Sequence, residues 1–330
     1  MTVTKNNGFT TDSLLRPENW EDYVGQDKIK ANLKVILEAA KKREETSDHL
    51  LFYGQAGLGK TTLAHLVAKE LKANLKLTSG PALERLADLA AILSNLEKND
   101  VLFIDEAHRL NRAIEEVLYP AMESRKLHLI IGKGPGARAV TLDLPPFTLI
   151  AATTRANLLS GPLRSRFGAS FKLDFYELAD MEQIIKRSAW ILKMPVDSAA
   201  VALLARAARF TPRVANRLLK RVRDYVTVHN LAVIDEKAVE KTLALLQIDH
   251  LGLEPTDRRL LQVIIEKFKG GPVGINSLAA ALNDDPGNIE SICEPYLMSI
   301  SFLIRTSSGR MATPEAYKYL GYQTSPEGLV

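Results

Sequence analysis

Residues 50–62 read LLFYGQAGLGKTT, and this stretch decides the fold of the first half of the chain. Gly54 to Thr61 match the pattern G-x-x-x-x-G-K-[ST], directly after an apolar run typical of a strand and at the start of a helical pattern. Glycines in such a loop let backbone N–H groups point at phosphate oxygens, and the helix N-terminus adds its positive end. We therefore predict a nucleotide-phosphate site, in which Lys60 reaches the β- and γ-phosphates and the Thr61 hydroxyl binds Mg²⁺.

A second element of this site lies about forty residues further on, where residues 101–106 read VLFIDE. An apolar strand that ends in two carboxylates is weak support alone but strong beside the loop above. We expect Asp105 to hold the Mg²⁺ shell and Glu106 to polarise the attacking water as a general base. The next two residues complete the DEAH box of another helicase superfamily. That class needs a second motor domain, whereas the remaining chain has helical patterns, so we interpret His108 as structural.

The strand pattern at residues 148–152 ends in two threonines. A polar side chain at this strand end would lie between the phosphate loop and the acidic strand end, close to the γ-phosphate. Thr153 or Thr154 can therefore sense that phosphate, and Thr154 is the favoured of the two.

Three arginines further along the chain are candidates for contacts to the transferring phosphoryl group. Arg164 and Arg166 lie on one short segment. An ATPase without an arginine of its own often takes one from a neighbouring subunit. Arg213 follows Pro212 at the predicted start of a helix, where it could close on the nucleotide as part of a lid.

The alternation of short apolar runs and amphipathic stretches predicts an α/β ATPase domain with a mainly parallel sheet over residues 1–176. Residues 126–144 interrupt this rhythm with two strand patterns around a GKGPG tip at 132–136, which predicts an inserted β-hairpin. The predicted strands of the sheet are 50–53, 75–78, 101–104, 148–152 and 171–174, and the predicted helices are 27–42, 60–71, 83–96 and 114–122.

Two smaller domains are predicted after the sheet. Residues 177–250 show four helical patterns, at 180–192, 197–208, 212–229 and 235–246, and predict a small all-α lid domain. Residues 251–330 show helical patterns at 256–268, 275–282 and 286–297, followed by strand patterns at 302–305 and 310–312. Three helices followed by a short hairpin are typical of a winged-helix domain.

Composition limits the remaining classes of function. The 330 residues include 43 basic and 39 acidic side chains, a net charge of +4 that permits nucleic acid as a partner without requiring it. The one cysteine, Cys293, excludes an intramolecular disulfide and a cysteine-based zinc site. Residues 1–12 lack an apolar signal core, and no apolar run approaches the roughly 20 residues that span a bilayer. We expect a soluble cytoplasmic protein with no membrane partner.

The order of the phosphate loop, the acidic strand end, the threonine pair and the later arginines resembles an AAA+ ATPase. The finer resemblance is to the RuvB family, the bacterial motors of Holliday-junction branch migration. It covers roughly residues 14–321, and its motifs in the last domain separate RuvB from other AAA+ proteins. The motifs that carry it are LRP at 15–17, YVGQ at 23–26, EVLYPAME at 116–123, LPPFT at 144–148, ANRLL at 215–219, FKGGPVG at 268–274 and GRMAT at 309–313.

The resemblance implies an ATP-driven motor and assigns roles at its nucleotide site. Arg166 is implied as the finger offered to the neighbouring subunit, with Arg164 as the alternative, and Arg213 as the second sensor. The residues implied to flank the nucleotide are Leu15, Arg16 and Tyr176, and those implied to hold its phosphates are Gly57, Lys60, Thr61 and Thr62.

The resemblance also implies partners. A homohexamer on duplex DNA at Holliday junctions is expected, and the 126–144 hairpin is similar to the RuvB surface that engages RuvA, the junction-binding protein. Arg305 and Arg310, on either side of the wing turn, match DNA-contacting arginines of the family. The implied location is the bacterial cytoplasm.

Six residues, at four places in the chain, depart from the family pattern. Gln55-Ala56 stand where two prolines are usual, which should loosen the phosphate loop without removing a phosphate contact. Ala107 replaces an isoleucine. Phe210 stands in place of a glycine before the Thr-Pro-Arg of the lid, which should stiffen that hinge. Ser307-Ser308 replace a Pro-Arg pair and so remove one positive charge near DNA.

Other functions remain alternatives on the residues alone. A clamp-loader-like AAA+ ATPase would share the nucleotide site, but a winged third domain argues against it. A nucleotide-gated DNA-binding regulator would use ATP only as a switch and would lack the water-activating carboxylate, whereas Glu106 is present. A protein-remodelling AAA+ chaperone would more often carry an aromatic pore loop and a domain that recruits substrate.

Overall fold

A five-stranded parallel sheet lies at the centre of the first half of the chain in the computed structural model. The structure describes residues 11–131 and 138–322, so the predicted hairpin tip, the N-terminal residues 1–10 and the tail after Tyr322 lie outside the described residues. The chain divides into two units at the boundary between Asp180 and Met181. The strands of the sheet are β1 (Leu50–Tyr53), β2 (Leu75–Ser79), β3 (Val101–Asp105), β6 (Thr148–Thr153) and β7 (Ala169–Lys172).

The order of the strands decides where the functional groups meet. It runs β2-β3-β6-β1-β7, so β6 lies between β1 and β3. Thr153 is the register partner of Tyr53 in β1, and Ala151 is the partner of Ile104 in β3. All these strands are parallel and end at one edge, which is the edge where open α/β sheets bind ligands.

Helices flank this sheet and bury its apolar faces. β1, β3 and β6 are almost wholly buried, as parallel strands with both faces covered are. The helix after β1 starts at Lys60, so the phosphate loop leads directly from strand to helix. The helices of this unit are α1 (Thr11–Leu15), α2 (Asp27–Arg43), α3 (Lys60–Glu70), α4 (Leu86–Ser94), α5 (Arg112–Glu123), α6 (Gly161–Arg164) and, continuing into the second unit, α7 (Leu178–Ile191).

The predicted bounds of two elements in this unit were wrong. β7 spans Ala169–Lys172 rather than 171–174, because it pairs with β1 from Ala169 opposite Leu50, and β1 ends at Tyr53. The chain then turns, with the Leu173 N–H donating to the Tyr53 carbonyl at 2.8 Å. Helix α4 starts at Leu86 rather than at 83, because the Asp88 carboxylate accepts a hydrogen bond from the Arg85 N–H and so caps the helix there.

The inserted hairpin consists of β4 (Lys126–Ile131) and β5 (Arg138–Asp143), paired antiparallel from Lys126 opposite Asp143. Leu127 is fully buried against the core of the first unit, whereas Leu142 is exposed. The base of the hairpin is therefore fixed to the ATPase domain through Leu127, while its register partner Leu142 remains partly exposed.

The second unit contains a helical lid followed by a winged-helix domain. After α7, the lid helices are α8 (Ser198–Ala207), α9 (Pro212–Val228) and α10 (Glu236–Leu245). The winged-helix elements are α11 (Pro255–Phe268), α12 (Ile275–Leu282), α13 (Pro286–Asn288), α14 (Glu294–Ser299), the antiparallel strands β8 (Leu303–Thr306) and β9 (Gly309–Ala312), and α15 (Pro314–Tyr319). The predicted fold class, an α/β ATPase domain with a helical lid and a winged helix, is confirmed.

The third winged-helix helix was predicted as one element over 286–297, and this was wrong. The chain forms a short helix, then a wider π-helical turn over Ile289–Cys293, then α14. Pro295 at the start of α14 has no N–H to donate into a regular helix, and a wider turn accommodates it. Helices α1, α6 and α15 were not predicted, because each is only four to six residues long.

Cys293 lies in the π-helical turn and is buried. Burial raises the pKa of its thiol to about 12, so the thiolate that reacts with oxidants is disfavoured. Among residues 11–131 and 138–322, no helix combines the length and the apolar character needed to cross a membrane.

The buried ring of His49 leads us to predict that the free energy of unfolding decreases on acidification. Its Nδ1 accepts from the Leu149 N–H at 2.8 Å, and burial lowers the pKa of the ring below its ordinary value of 6.5. Below that value the unfolded chain binds a proton that the folded chain excludes, so the free energy of unfolding falls as pH falls from 6.5 through the lowered pKa. Urea unfolding at pH 7.5 and pH 5.5 should show a smaller pH effect in His49→Asn, whose amide oxygen still accepts but does not titrate. An equal pH effect in both proteins would contradict this assignment.

Candidate nucleotide site

Positive φ angles shape the loop between β1 and α3. They are 143° at Gly54, 83° at Gly57 and 102° at Gly59, a region that favours glycine. Space is also restricted, since a Cβ on Gly54 would lie 2.4 Å from the Leu173 carbonyl oxygen and one on Gly59 would lie 2.7 Å from the Tyr23 hydroxyl. The two glycines at the ends of the motif are therefore required by the backbone itself.

Lys60 lies across this loop. Its ammonium group donates to the carbonyl oxygens of Gly54 and Gln55, both at 2.8 Å, and the residue is buried. Thr61 and Thr62 follow in the first turn of α3 and are half-buried. A cation and two hydroxyls thus stand at a helix N-terminus, an arrangement that suits the phosphates of a nucleotide.

Two buried tyrosines form hydrogen bonds with the phosphate loop. The Tyr176 hydroxyl lies 3.1 Å from the Leu58 carbonyl oxygen and 3.3 Å from the Tyr23 hydroxyl, which itself lies 3.4 Å from the same carbonyl. Burial raises the pKa of Tyr176 to about 12, so it remains a neutral hydrogen-bond donor. In the described chain, Tyr176 is fixed to the loop by its hydroxyl group.

Arg16 lines a cavity of about 310 Å³ on the side of α3, and Leu15 precedes it in the chain. Leu15 is buried, while Arg16 is half-buried with its Nη1 2.6 Å from His65 Nε2. Burial and the adjacent guanidinium both lower the pKa of His65. A neutral ring nitrogen can accept from Arg16, so His65 orients this arginine, a role that the sequence did not reveal.

The acidic end of β3 turns sharply. The Glu106 N–H donates to Asp105 Oδ1 at 2.9 Å, and Glu106 has a φ of 49°. A left-handed conformation costs a non-glycine residue about 1 kcal/mol or more, and such residues cluster at functional sites. Both carboxylates are half-buried, so they remain accessible at the edge of the sheet.

His108 connects the acidic strand end to β6. Its Nδ1 lies 3.0 Å from Thr153 Oγ1 and 3.4 Å from Glu106 Oε2. Burial lowers the pKa of the ring, while Glu106 opposes that shift. Thr153 is fully buried, and its hydroxyl also accepts from the Arg155 N–H at 3.0 Å. Thr153 is thus already engaged inside the protein, whereas Thr154 is half-buried at the strand end.

Gly80 lies directly against Glu106 and gives a further prediction. A Cβ at this position would lie 2.4 Å from the Glu106 carbonyl oxygen, so Gly80→Ala must displace one of the two segments. Small displacements of a catalytic group can cost roughly 100-fold in rate. We expect Gly80→Ala to lower the kcat for ATP by about 10- to 100-fold while leaving ATP affinity within about twofold.

The matched control is Gly274→Ala, because a Cβ there would meet no atom within 4 Å. Steady-state ATPase assays and equilibrium nucleotide binding measure the two effects. Full turnover by Gly80→Ala would show that the position of Glu106 does not limit the reaction.

Arg166 is held by its own domain. Its Nη2 lies 3.1 Å from Glu123 Oε1, its Nη1 donates to the Pro162 carbonyl at 2.6 Å, and its guanidinium lies 4.4 Å from the centre of the Tyr119 ring. Its Nε is buried without a hydrogen-bond partner among the described residues. Arg164, by contrast, is exposed. The two candidate arginines therefore differ in how firmly the fold orients them.

The arginines of the second unit also differ from one another. Arg213 is exposed in the first turn of α9, and Arg305 is exposed on β8. Arg310 is buried, with its Nε 2.7 Å from Glu294 Oε1 and its Nη2 2.8 Å from Glu290 Oε1. This is not the solvent-facing environment expected for a phosphate contact.

The oxygen donors near the loop fit Mg²⁺ rather than a metal held by protein alone. In the described parts of the chain, no group of three or more His, Cys, Asp and Glu side chains could form a metal cage. Mg²⁺ is ordinarily held by one or two protein oxygens together with phosphates and water. A Thr61 hydroxyl and an Asp105 carboxylate match that donor set.

Comparison with known proteins decides the family. Residues 15–173 match the Holliday junction DNA helicase RuvB P-loop domain, residues 176–249 the RuvB AAA lid domain, and residues 250–321 the RuvB C-terminal winged-helix domain. The chain belongs to the RuvB family. It is thus an ATP-dependent Holliday junction helicase.

Solved structures agree with this membership. The Thermotoga maritima RuvB Holliday junction branch migration motor is 47% identical, over 94% of this chain and 99% of that chain, with a TM-score of 0.87. Two point mutants of the same Thermotoga maritima RuvB match with the same identity and coverage, at TM-scores of 0.87 and 0.86. The clamp-loader and regulator alternatives receive no support from these matches.

Proposed function

We propose that this member of the RuvB family hydrolyses ATP with Mg²⁺ at the edge of its parallel sheet and uses the energy to drive branch migration. The observation that carries this proposal is the strand order, in which β6 separates β1 from β3. That order brings a phosphate loop, two carboxylates and a polar strand end to one edge. Each part has a known use in phosphoryl transfer.

The proposed roles within the site follow from the chemistry of each group. Gly57, Lys60, Thr61 and Thr62 hold the phosphates, Thr61 and Asp105 hold Mg²⁺, and Glu106 activates water. When bound, Mg²⁺ neutralises charge on the phosphates. Thr154 senses the γ-phosphate, a choice supported by the internal hydrogen bonds of Thr153. The resemblance supports Leu15, Arg16 and Tyr176 beside the nucleotide and Arg213 as the second sensor.

We infer that the chain acts as a homohexamer whose sites are shared between neighbours. Arg166 is the proposed finger, supported by its orientation through Glu123 and Tyr119. A guanidinium that is already oriented loses less entropy when it contacts a neighbour's γ-phosphate. Arg164 has no comparable contacts among the described residues.

Duplex DNA at Holliday junctions is the proposed substrate, with Arg305 as a direct phosphate contact. For Arg310 we propose a supporting role, because Glu290 and Glu294 neutralise its charge. The β4–β5 hairpin is the proposed docking surface for a RuvA-type protein, supported by its exposed Leu142. The proposed location is the bacterial cytoplasm.

The test is ATPase activity with and without duplex DNA and a RuvA-type partner, together with the mass of the protein by light scattering. We expect ATP turnover that DNA raises, and rings of six chains on DNA. Hydrolysis that is indifferent to both DNA and the partner would argue against a DNA motor.

A further inference from the structure

The lid and the winged helix meet at a buried contact beside the helix that carries Arg213. Arg209 lies between α8 and α9, and its Nη2 donates to Asp257 Oδ1 at 3.0 Å. The Arg209 guanidinium also lies 4.5 Å from the centre of the Tyr296 ring. Arg209 and Asp257 are both buried, and a buried charge is tolerated only when it is paired. This contact therefore fixes the start of α9 to α11 and α14.

Phe210 adds a second contact at the same place. Arg209 and Phe210 have φ angles of 54° and 52°, a left-handed conformation that glycine adopts most easily. The Phe210 ring nevertheless lies 6.1 Å from the Tyr296 ring, tilted by 53°, and packs against the winged-helix core. Where a glycine would only permit the turn, this phenylalanine fills the space between lid and winged helix.

Arg217 makes a third contact, one helical turn after Arg213. Its Nη2 lies 2.7 Å from Glu254 Oε1. Glu254 and Asp257 belong to the same capping box at the start of α11, where the Glu254 N–H donates to Asp257 Oδ2 at 2.9 Å. Arg209 and Arg217 stand four residues before and four after Arg213. Both bind the same helix start, so Arg213 lies on a segment fixed at both ends.

The connection between lid and winged helix is itself ordered by side chains. Arg258 donates to the carbonyl oxygens of Leu253 at 2.6 Å and Gln247 at 2.7 Å. Gly252 has a φ of 81°, and a Cβ there would lie 2.4 Å from the Ala207 carbonyl oxygen. Domains joined by a loose linker ordinarily move independently. This linker instead packs against both domains.

Further ion pairs join α14 to the wing, which is the β8–β9 hairpin. Tyr296 lies on α14, and so does Glu294, which accepts from Arg310 Nε at 2.7 Å. Arg310 Nη2 then lies 2.8 Å from Glu290 Oε1, and Arg305 Nη2 lies 3.5 Å from that same oxygen. The exposed arginine of the wing is therefore joined through paired charges to the helix that holds Arg209.

We propose that Arg209, Phe210 and Arg217 are positioning residues that join the lid and the winged helix into one rigid body, so that DNA at the wing alters the placement of Arg213. The inference rests on the proposed function, in which Arg213 senses nucleotide and Arg305 contacts DNA. Coupling of this kind is reciprocal: DNA changes ATP turnover, and bound nucleotide changes DNA affinity.

The first test compares wild type with Phe210→Ala. The stimulation of ATPase by duplex DNA should fall about fivefold or more, while basal turnover and nucleotide-free DNA affinity stay unchanged. The ratio of DNA affinities with ATPγS and with ADP should move toward one. A purely structural role would lower only the melting temperature, and an unchanged stimulation factor would overturn the inference.

The second test uses the more exposed Arg217–Glu254 pair, so that folding is preserved. Arg217→Glu and Glu254→Arg should each reduce stimulation, and the double variant should restore most of it. Arg221→Glu is the matched control, because Arg221 pairs with Asp224 on its own helix. Single variants with full stimulation, or a double variant without rescue, would overturn the inference. A wild type whose ATPase ignores DNA, or one that cannot hydrolyse ATP, would instead count against the proposed function itself.

Discussion

Arg166→Ala is expected to lower ATP turnover of the assembled protein by about a thousandfold, with ATP affinity nearly unchanged. In its proposed role, the Arg166 guanidinium neutralises charge that develops on the phosphoryl group transferred in the neighbouring subunit. Loss of the ion pair to Glu123 and of the contact to Tyr119 removes local packing as well. Melting temperatures must therefore accompany the ATPase measurements.

Arg164→Ala is the matched control, since this arginine is exposed two residues away. It should keep turnover within about threefold, because exposed side chains outside the site contribute little. An equal loss in both variants would move the finger role away from Arg166, and a loss in Arg164→Ala alone would assign it to Arg164.

Mixing variants shows whether the arginine acts between subunits. Lys60→Ala should abolish nucleotide binding, because the ammonium that spans the loop is lost. A ring that combines this variant with Arg166→Ala contains some complete sites, with the nucleotide in one subunit and the finger from the other. Activity should therefore recover on mixing. No recovery at concentrations that allow assembly would contradict the shared site.

Glu106→Gln is expected to stop turnover while sparing ATP binding. The amide preserves shape and hydrogen bonding but cannot take a proton from water, so the rate should fall by roughly 10²- to 10⁴-fold. The φ of 49° at Glu106 sets the direction of its Cα–Cβ bond. His108 Nδ1, 3.4 Å from Glu106 Oε2, restricts the position of the carboxylate. The glutamine variant should also trap the ATP-bound protein on DNA.

Glu116→Gln is the control for this variant, because Glu116 lies on the exposed face of α5 and pairs with Arg112. Single-turnover assays with labelled ATP separate binding from chemistry. Rapid hydrolysis by Glu106→Gln would remove the general-base assignment and would direct attention to Asp105 instead.

The sequence predicted the features that depend on local patterns. The phosphate loop, the apolar strand ending at Asp105 and the helical lid each follow from residues adjacent in the chain. The position of the phosphate loop relative to Asp105 also followed, because parallel strands end at a common edge. The bounds of β7 did not follow, since they depend on where β1 ends rather than on the residues of β7 itself.

Contacts between distant residues could not be predicted. The bond of His108 to Thr153 joins positions 45 residues apart, and it decides which threonine is already engaged. The pairing of Arg310, a predicted DNA contact, with Glu290 and Glu294 likewise joins residues distant in the sequence. Phe210 was expected to stiffen the hinge of the lid, but its contact with Tyr296, 86 residues away in the sequence, could not be predicted. Gln55 and Ala56 remain unexplained, and nothing in the structure accounts for them.

Branch migration of a synthetic four-way junction by the purified chain with a RuvA-type partner tests most directly whether this protein is a DNA motor. We predict that branch migration dissociates the junction into duplex products only when ATP and Mg²⁺ are present. Glu106→Gln should not dissociate the junction under the same conditions. Intact junctions alongside normal ATP hydrolysis, or equal product with Glu106→Gln, would show that ATP hydrolysis at this site does not drive branch migration.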